Sequence, residues 1–191
     1  SMGGMLATRY APMFPGEVAK LVLVNPIGLE DWSAVVPYAP VDDAYREALA
    51  RTPEQVRAYM SASYFDGKWA PEYDAFAAIQ LGWATSADKA TLARVAALTS
   101  DMVFTQPVVH DFPRVAAPTL LIIGTRDRTA IGKGRASADV KPTLGRYDVL
   151  GKQAAAAIPG AKLVELEGVG HIPQLEAWDA YLAALTTFLA P

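Results

Sequence analysis

Pro118-Thr119-Leu120-Leu121-Ile122-Ile123-Gly124-Thr125-Arg126-Asp127 decides the fold. Its apolar run is continuous and ends at a glycine, the texture of a strand buried on both faces of a parallel sheet. Upstream, Val18 to Val24 is a second run of this kind, closed by Asn25-Pro26-Ile27-Gly28. Downstream, Ala161 to Glu167 alternates as a third strand, and Gly168-Val169-Gly170 turns the chain. Helical patterns lie between. Met2 to Met13 places Met5, Leu6, Arg9 and Tyr10 on one face, and Pro12, Pro15 and Gly16 end the pattern. Tyr147 to Ile158 is a helix stopped by Pro159-Gly160, and a last helix runs from Leu175 to Leu189. Strands alternating with helices predict an α/β protein whose parallel sheet has right-handed crossovers.

The texture changes from Leu29 to Arg114. Thr52-Pro53-Glu54-Gln55 is a helix start, with a capping threonine, proline in the first turn and glutamine three residues after the cap. Val56, Tyr59, Met60 and Ser63 then share a face. A second helix starts at Ser86, with Leu92, Val95 and Leu98 as its apolar stripe. Aromatic residues from Tyr38 to Phe104, Trp69 and Trp83 among them, crowd this section. Residues 29–114 are therefore read as a helical insertion, and residues 1–28 with 115–191 as the core.

Composition narrows the function classes. The chain of 191 residues is 52% hydrophobic and 19% charged, which is globular rather than disordered. A net charge of -3 without a basic run argues against a nucleic-acid surface. Without cysteine there are no disulfides, thiolates or Cys-type zinc sites, and the compartment stays open. No apolar stretch reaches the roughly 18 residues of a membrane span. The Gly132-Lys133-Gly134-Arg135 stretch lacks the spacing of a phosphate loop and reads as a surface loop.

Three segments carry chemistry. Ser1-Met2-Gly3-Gly4 opens the first helix, Asp127 follows the second strand, and Gly168-Val169-Gly170-His171-Ile172-Pro173 follows the third. In this order they resemble the α/β-hydrolase fold family, in its serine-dependent form with a helical cap. The first segment is similar to the second half of the nucleophile elbow, a turn so tight that small residues are required at Gly3 and Gly4. The resemblance covers essentially the whole chain. It implies Ser1 as nucleophile, His171 as general base and Asp127 as the acid that orients it. It implies the Met2 N–H as an oxyanion donor and Ile172 as a substrate-pocket residue. The implied substrate is a small, largely apolar ester or related acyl compound, hydrolysed through an acyl-enzyme, with no cofactor and no metal. Serine at the elbow disfavours the aspartate-nucleophile branches, the dehalogenases and epoxide hydrolases.

An elbow sits at the end of a strand, and three strands are few for a covered parallel sheet. The chain is thus expected to be the C-terminal part of a larger enzyme, lacking N-terminal strands and a second oxyanion donor. It would then be catalytically poor alone and would pair with its missing N-terminal half. Other readings stay open. The stretch from Asp127 to His171 is long for the family, so Asp139 and Asp148 are alternative acids. Ser1-Met2 also fits a remnant of tag removal, or a nucleophile that uses its own α-amino group. His110 reads as a surface or cap–core contact. The same triad also serves C–C bond hydrolysis, and the fold also serves as a non-catalytic ligand binder.

Overall fold

The computed structural model describes residues 1–190. Strands β1 (Leu21–Val24), β2 (Thr119–Gly124) and β3 (Lys162–Leu166) form one parallel sheet in the order β1-β2-β3. The first strand is shorter than the apolar run that predicts it. Its ladder begins with Leu21 N–H donating to the carbonyl of Pro118 at 2.9 Å, and among the described residues no strand pairs with Val18.

Both faces of β2 are covered, which is why all six of its residues are buried. On one face Leu121 and Ile123 meet Leu23, the helix α1 (Met2–Met13) through Ala11, and the helix α6 (Tyr147–Ala157) through Tyr147, Leu150 and Ala154. On the other, Leu120 and Ile122 meet Leu166 and the helix α8 (Trp178–Leu189) through Tyr181, Leu185 and Phe188. Burying each such aliphatic side chain contributes about 1.5–3 kcal/mol, so β2 anchors the molecule.

Between β1 and β2 the chain forms helices α2 (Val41–Ala50), α3 (Pro53–Tyr64), α4 (Tyr73–Thr85) and α5 (Lys89–Thr105). The capping box at Thr52 is present, with the Thr52 hydroxyl accepting from Gln55 N–H and the Gln55 side chain accepting from Thr52 N–H. Val56 and Met60 are buried against Ala77 of α4. The chain leaves and rejoins the sheet at one place. Leu29 and Val115 share a core cluster, and Asp31 meets His110 at 3.1 Å beside them.

Several predicted helix faces differ from the structure. In α5 Val95 and Leu98 are exposed, while Ala93 and Ala97 are buried where α2 packs closely. Small side chains make the contact because they let the two backbones approach. In α1 Leu6 and Tyr10 are exposed, and the buried residues are Met5, Thr8 and Ala11. Trp69 packs with Phe65 and Tyr73, but Trp83 stands half exposed. The last helix is broken: α7 (Pro173–Glu176) stops at Ala177, whose backbone is not helical, and α8 begins beyond it.

Candidate active site

The residues with chemistry collect at the C-terminal end of the sheet, the edge where open α/β sheets bind ligands. Asp127 lies on the loop after β2 and is fully buried, at 0% exposure. His171 lies on the loop after β3, 7% exposed. Their side chains meet, with His171 Nδ1 2.6 Å from Asp127 Oδ2. Asp139 and Asp148 do not reach His171; Asp148 pairs instead with Arg146 and Arg128.

Asp127 receives two further donors. Thr129 N–H donates to Oδ1 at 2.8 Å, and Asn25 Nδ2 donates to Oδ2 at 2.9 Å. Burial by itself would push the carboxyl pKa up. The His171 hydrogen bond and charge, with the Thr129 contacts, outweigh burial and hold it below the ordinary carboxylate value. The carboxylate therefore stays ionised and accepts the Nδ1–H bond. That fixes the tautomer with the basic lone pair on Nε2.

Asn25 was not singled out in the sequence, yet it organises this corner. It is fully buried, with φ at 37°, in the left-handed region that asparagine tolerates better than most residues. Its Oδ1 accepts from Gly124 N–H at 2.9 Å, so its amide extends the β1–β2 ladder by side chain and fixes where the acid loop departs. Tyr147 supports the next residue by donating its hydroxyl to the Pro26 carbonyl at 2.9 Å.

Ser1 stands at the start of α1. Its carbonyl accepts from Gly4 N–H at 3.0 Å and from Ile27 N–H at 3.2 Å, which ties the helix start to the loop after β1. A Cβ on Gly4 would come within 2.6 Å of the Pro26 Cβ, so glycine is required there, whereas Gly3 faces open space. Among the described residues no hydrogen bond joins the Ser1 hydroxyl to His171, and the Met2 N–H has no acceptor. The first amides of a helix are free in this way and point at whatever anion sits before it.

The His171 loop is tied down by Arg126 and Glu176. Arg126 pairs with Glu176 and donates Nε to the Gly168 carbonyl at 2.8 Å. Glu176 Oε1 accepts from Gly170 N–H at 2.9 Å, the residue before the histidine. The break in the last helix at Ala177 is what leaves Glu176 on a separate turn facing this loop. Tyr64, at the end of α3, lays its ring on the imidazole with centroids 4.7 Å apart and planes 19° apart.

A cavity of about 280 Å³ lies between α2, α5 and the loop after Asp127, lined partly by Ala44, Ala97, Phe104 and Ile131. Tyr59 is in its wall and touches Tyr64, whose ring lies on His171, so the rings of Tyr59 and Tyr64 link the cavity wall to the imidazole. Ile172 is almost buried and is not part of this wall, and neither are Ser1, Asp127 and His171. His110 is exposed at the base of the helical section. The Gly132–Arg135 stretch is a short turn held by Arg135 Nε on the Pro37 carbonyl at 3.1 Å. Among the described residues no group of three or more acidic or histidine side chains is placed to hold a metal, and no helix is long and apolar enough to cross a membrane.

The chain is similar to known structures over its whole length. It is 50% identical to a probable hydrolytic enzyme from Pseudomonas aeruginosa PAO1, with a TM-score of 0.97, and covers 100% of itself and 62% of that chain. An esterase from Exiguobacterium antarcticum shares 18% identity at a TM-score of 0.64, with 100% of this chain and 65% of that chain covered. An enol-lactonase from Burkholderia xenovorans LB400 shares 21% identity at 0.62, with 100% and 64% covered. The chain thus spans less than two thirds of the length of each. No curated protein matches it. A model of the alpha/beta hydrolase family matches residues 1–184, from the start of α1 into α8. Fold and family match agree, and this chain belongs to the alpha/beta hydrolase family.

Proposed function

We propose that the protein hydrolyses an ester or related acyl bond of a small, largely apolar substrate, with Ser1 as nucleophile, His171 as base and Asp127 as its orienting acid. The observation that carries this reading is the buried 2.6 Å bond between His171 Nδ1 and Asp127 Oδ2. With Nδ1–H committed to the carboxylate, Nε2 takes the serine proton as the hydroxyl attacks the acyl carbon. The resulting imidazolium is stabilised by Asp127 and returns the proton to the leaving alcohol. Water, deprotonated by the same nitrogen, then releases the acid. The Met2 N–H donates to the tetrahedral oxyanion, as the first free amide of α1. Residues 29–114 act as a cap that roofs this edge, over a core of residues 1–28 and 115–191.

The test is covalent labelling. A fluorophosphonate probe adds to activated serines, and peptide mapping by mass spectrometry locates the adduct. Labelling of Ser1, abolished in His171→Gln, is expected, together with turnover of short p-nitrophenyl esters. Labelling that survives His171→Gln, or falls on another residue, would discard the assignment. A vinylogous 1,5-diketone assayed alongside the esters separates acyl from C–C bond hydrolysis.

A further inference from the structure

We infer that Tyr64 is a positioning residue whose ring face stabilises His171 in its protonated form, so that the end of α3 sets the basicity of the catalytic imidazole. The inference rests on the reading of His171 as the general base.

The geometry is specific. Rings 4.7 Å apart and tilted by 19° are stacked rather than edge-on, so the imidazole faces the negative side of the phenol π-system. A cation at this distance from a ring face is attracted to it, and the attraction grows when water is excluded. Here both partners are shielded, with His171 buried and Tyr64 half-buried in the helical section. The backbone at Tyr64 is also held in place. Arg126 Nη1 donates to the Tyr64 carbonyl at 3.4 Å, while the same guanidinium pairs with Glu176 and reaches Gly168. One arginine, next in sequence to the acid, thus joins the end of α3, the acid loop and the histidine loop. Gly170 is tightly confined between them, since a Cβ there would overlap the Tyr64 carbonyl oxygen.

Other groups also act on the imidazole. Asp127 and Thr129 face Nδ1 from the acid loop. Glu176, paired with Arg126, holds the histidine loop from α7, and Tyr59 touches the ring of Tyr64. The Asp127 and Thr129 contacts reach the imidazole at Nδ1, whereas Tyr64 stacks on its ring, so the ring-face contribution is tested by changing residue 64.

Only two histidines are present, and His110 is exposed, so NMR resolves the His171 ring signal through a pH titration without a catalytic assay. Tyr64→Leu keeps an apolar cover and removes the π-face. Its His171 titration midpoint is expected to fall by about half to one pH unit. The acid limb of kcat/KM should move the same way, with kcat/KM down about three- to tenfold. Tyr64→Phe should restore both. Pentafluorophenylalanine at position 64 keeps the ring and reverses its face potential, so it should lower the midpoint relative to phenylalanine even if the leucine variant fails to fold. An unmoved midpoint in the leucine or the fluorinated protein would overturn the inference, as would a fall in Tyr64→Phe equal to that in Tyr64→Leu. If no substrate turns over but the midpoint shifts as expected, the acyl-hydrolase reading fails and the ring contact stands.

Discussion

Replacing Asp127 by asparagine changes one buried atom type where three donors converge. His171 Nδ1 and Asn25 Nδ2 meet Oδ2 at 2.6 and 2.9 Å, and Thr129 N–H meets Oδ1 at 2.8 Å. An amide offers only one acceptor oxygen. If that oxygen takes the Oδ2 position, the new NH₂ confronts the Thr129 N–H, and two donors face each other without an acceptor. If it takes the Oδ1 position, the NH₂ confronts Asn25 and donates to Nδ1, which forces the proton onto Nε2. Each stranded buried donor costs about 1–3 kcal/mol, so Asp127→Asn should lose about 2–4 kcal/mol of stability. The second orientation also leaves no lone pair to take the serine proton, and kcat should fall about 10⁴-fold, as for a wrong tautomer elsewhere. Urea titration followed by circular dichroism, with the slope unchanged, measures the first quantity, and p-nitrophenyl ester turnover the second. A variant with the wild-type urea midpoint and near wild-type turnover would refute the account of this site.

Stability below neutral pH should carry the signature of Asp127. Its folded pKa is depressed, so its contribution is present above the unfolded carboxylate value of about 3.9 and is lost as pH falls through the lower folded value. Wild type should therefore lose stability more steeply than Asp127→Asn over that acid window in urea melts. Glu30 is the opposite case: burial raises its pKa, with the Gly145 and Trp32 hydrogen bonds and the Lys133 charge opposing. Glu30→Gln keeps the acceptor oxygen and should match or exceed wild-type stability at pH 7, the difference vanishing below the unfolded glutamate value of about 4.3. A large loss at pH 7 would show that the charge itself is needed. Gly124→Ala should be severely destabilising, because its Cβ would overlap the Gly170 carbonyl oxygen and lie 2.6 Å from that of Val169. A thermal melt unchanged from wild type would contradict that contact. Tyr147→Phe removes the hydroxyl bond to Pro26 and leaves a buried carbonyl unpaired, for a loss of about 1–3 kcal/mol by urea titration.

The sheet and the acid–histidine pair were legible because they depend on local texture. A continuous run such as Leu120–Ile123 fits only a strand covered on both faces, and residues just past strand ends fall on the site edge. Helix faces were less legible where small residues decide. Ala93 and Ala97 carry little hydrophobic signal, yet they let α2 and α5 approach, and the larger Val95 and Leu98 are left outside. Asn25 and Tyr64 were not singled out because their roles are relational. Asn25 matters through its register with Gly124, 99 residues away in sequence, and Tyr64 through a ring on a different chain segment. The break at Ala177 is equally silent, since the run from Leu175 to Leu189 is helical in pattern and only the Glu176 bond to Gly170 gives a reason to interrupt it.

The helical section leaves the sheet at Leu29 and returns at Val115, with Asp31 and His110 in contact at the join. Because its two ends already meet, its length is nearly free of consequence for the strands below. Closing a loop twice as long adds only about 0.6 kcal/mol of entropic cost. Insertions or wholesale replacement between these two residues are thus tolerable to the sheet and to the Asp127–His171 pair. The Tyr64 contact is the exception, since it belongs to the replaceable part and touches the fixed part. A lineage that exchanges this section for another keeps the Asp127–His171 pair but loses the ring that Tyr64 lays on the imidazole, unless the replacement supplies one.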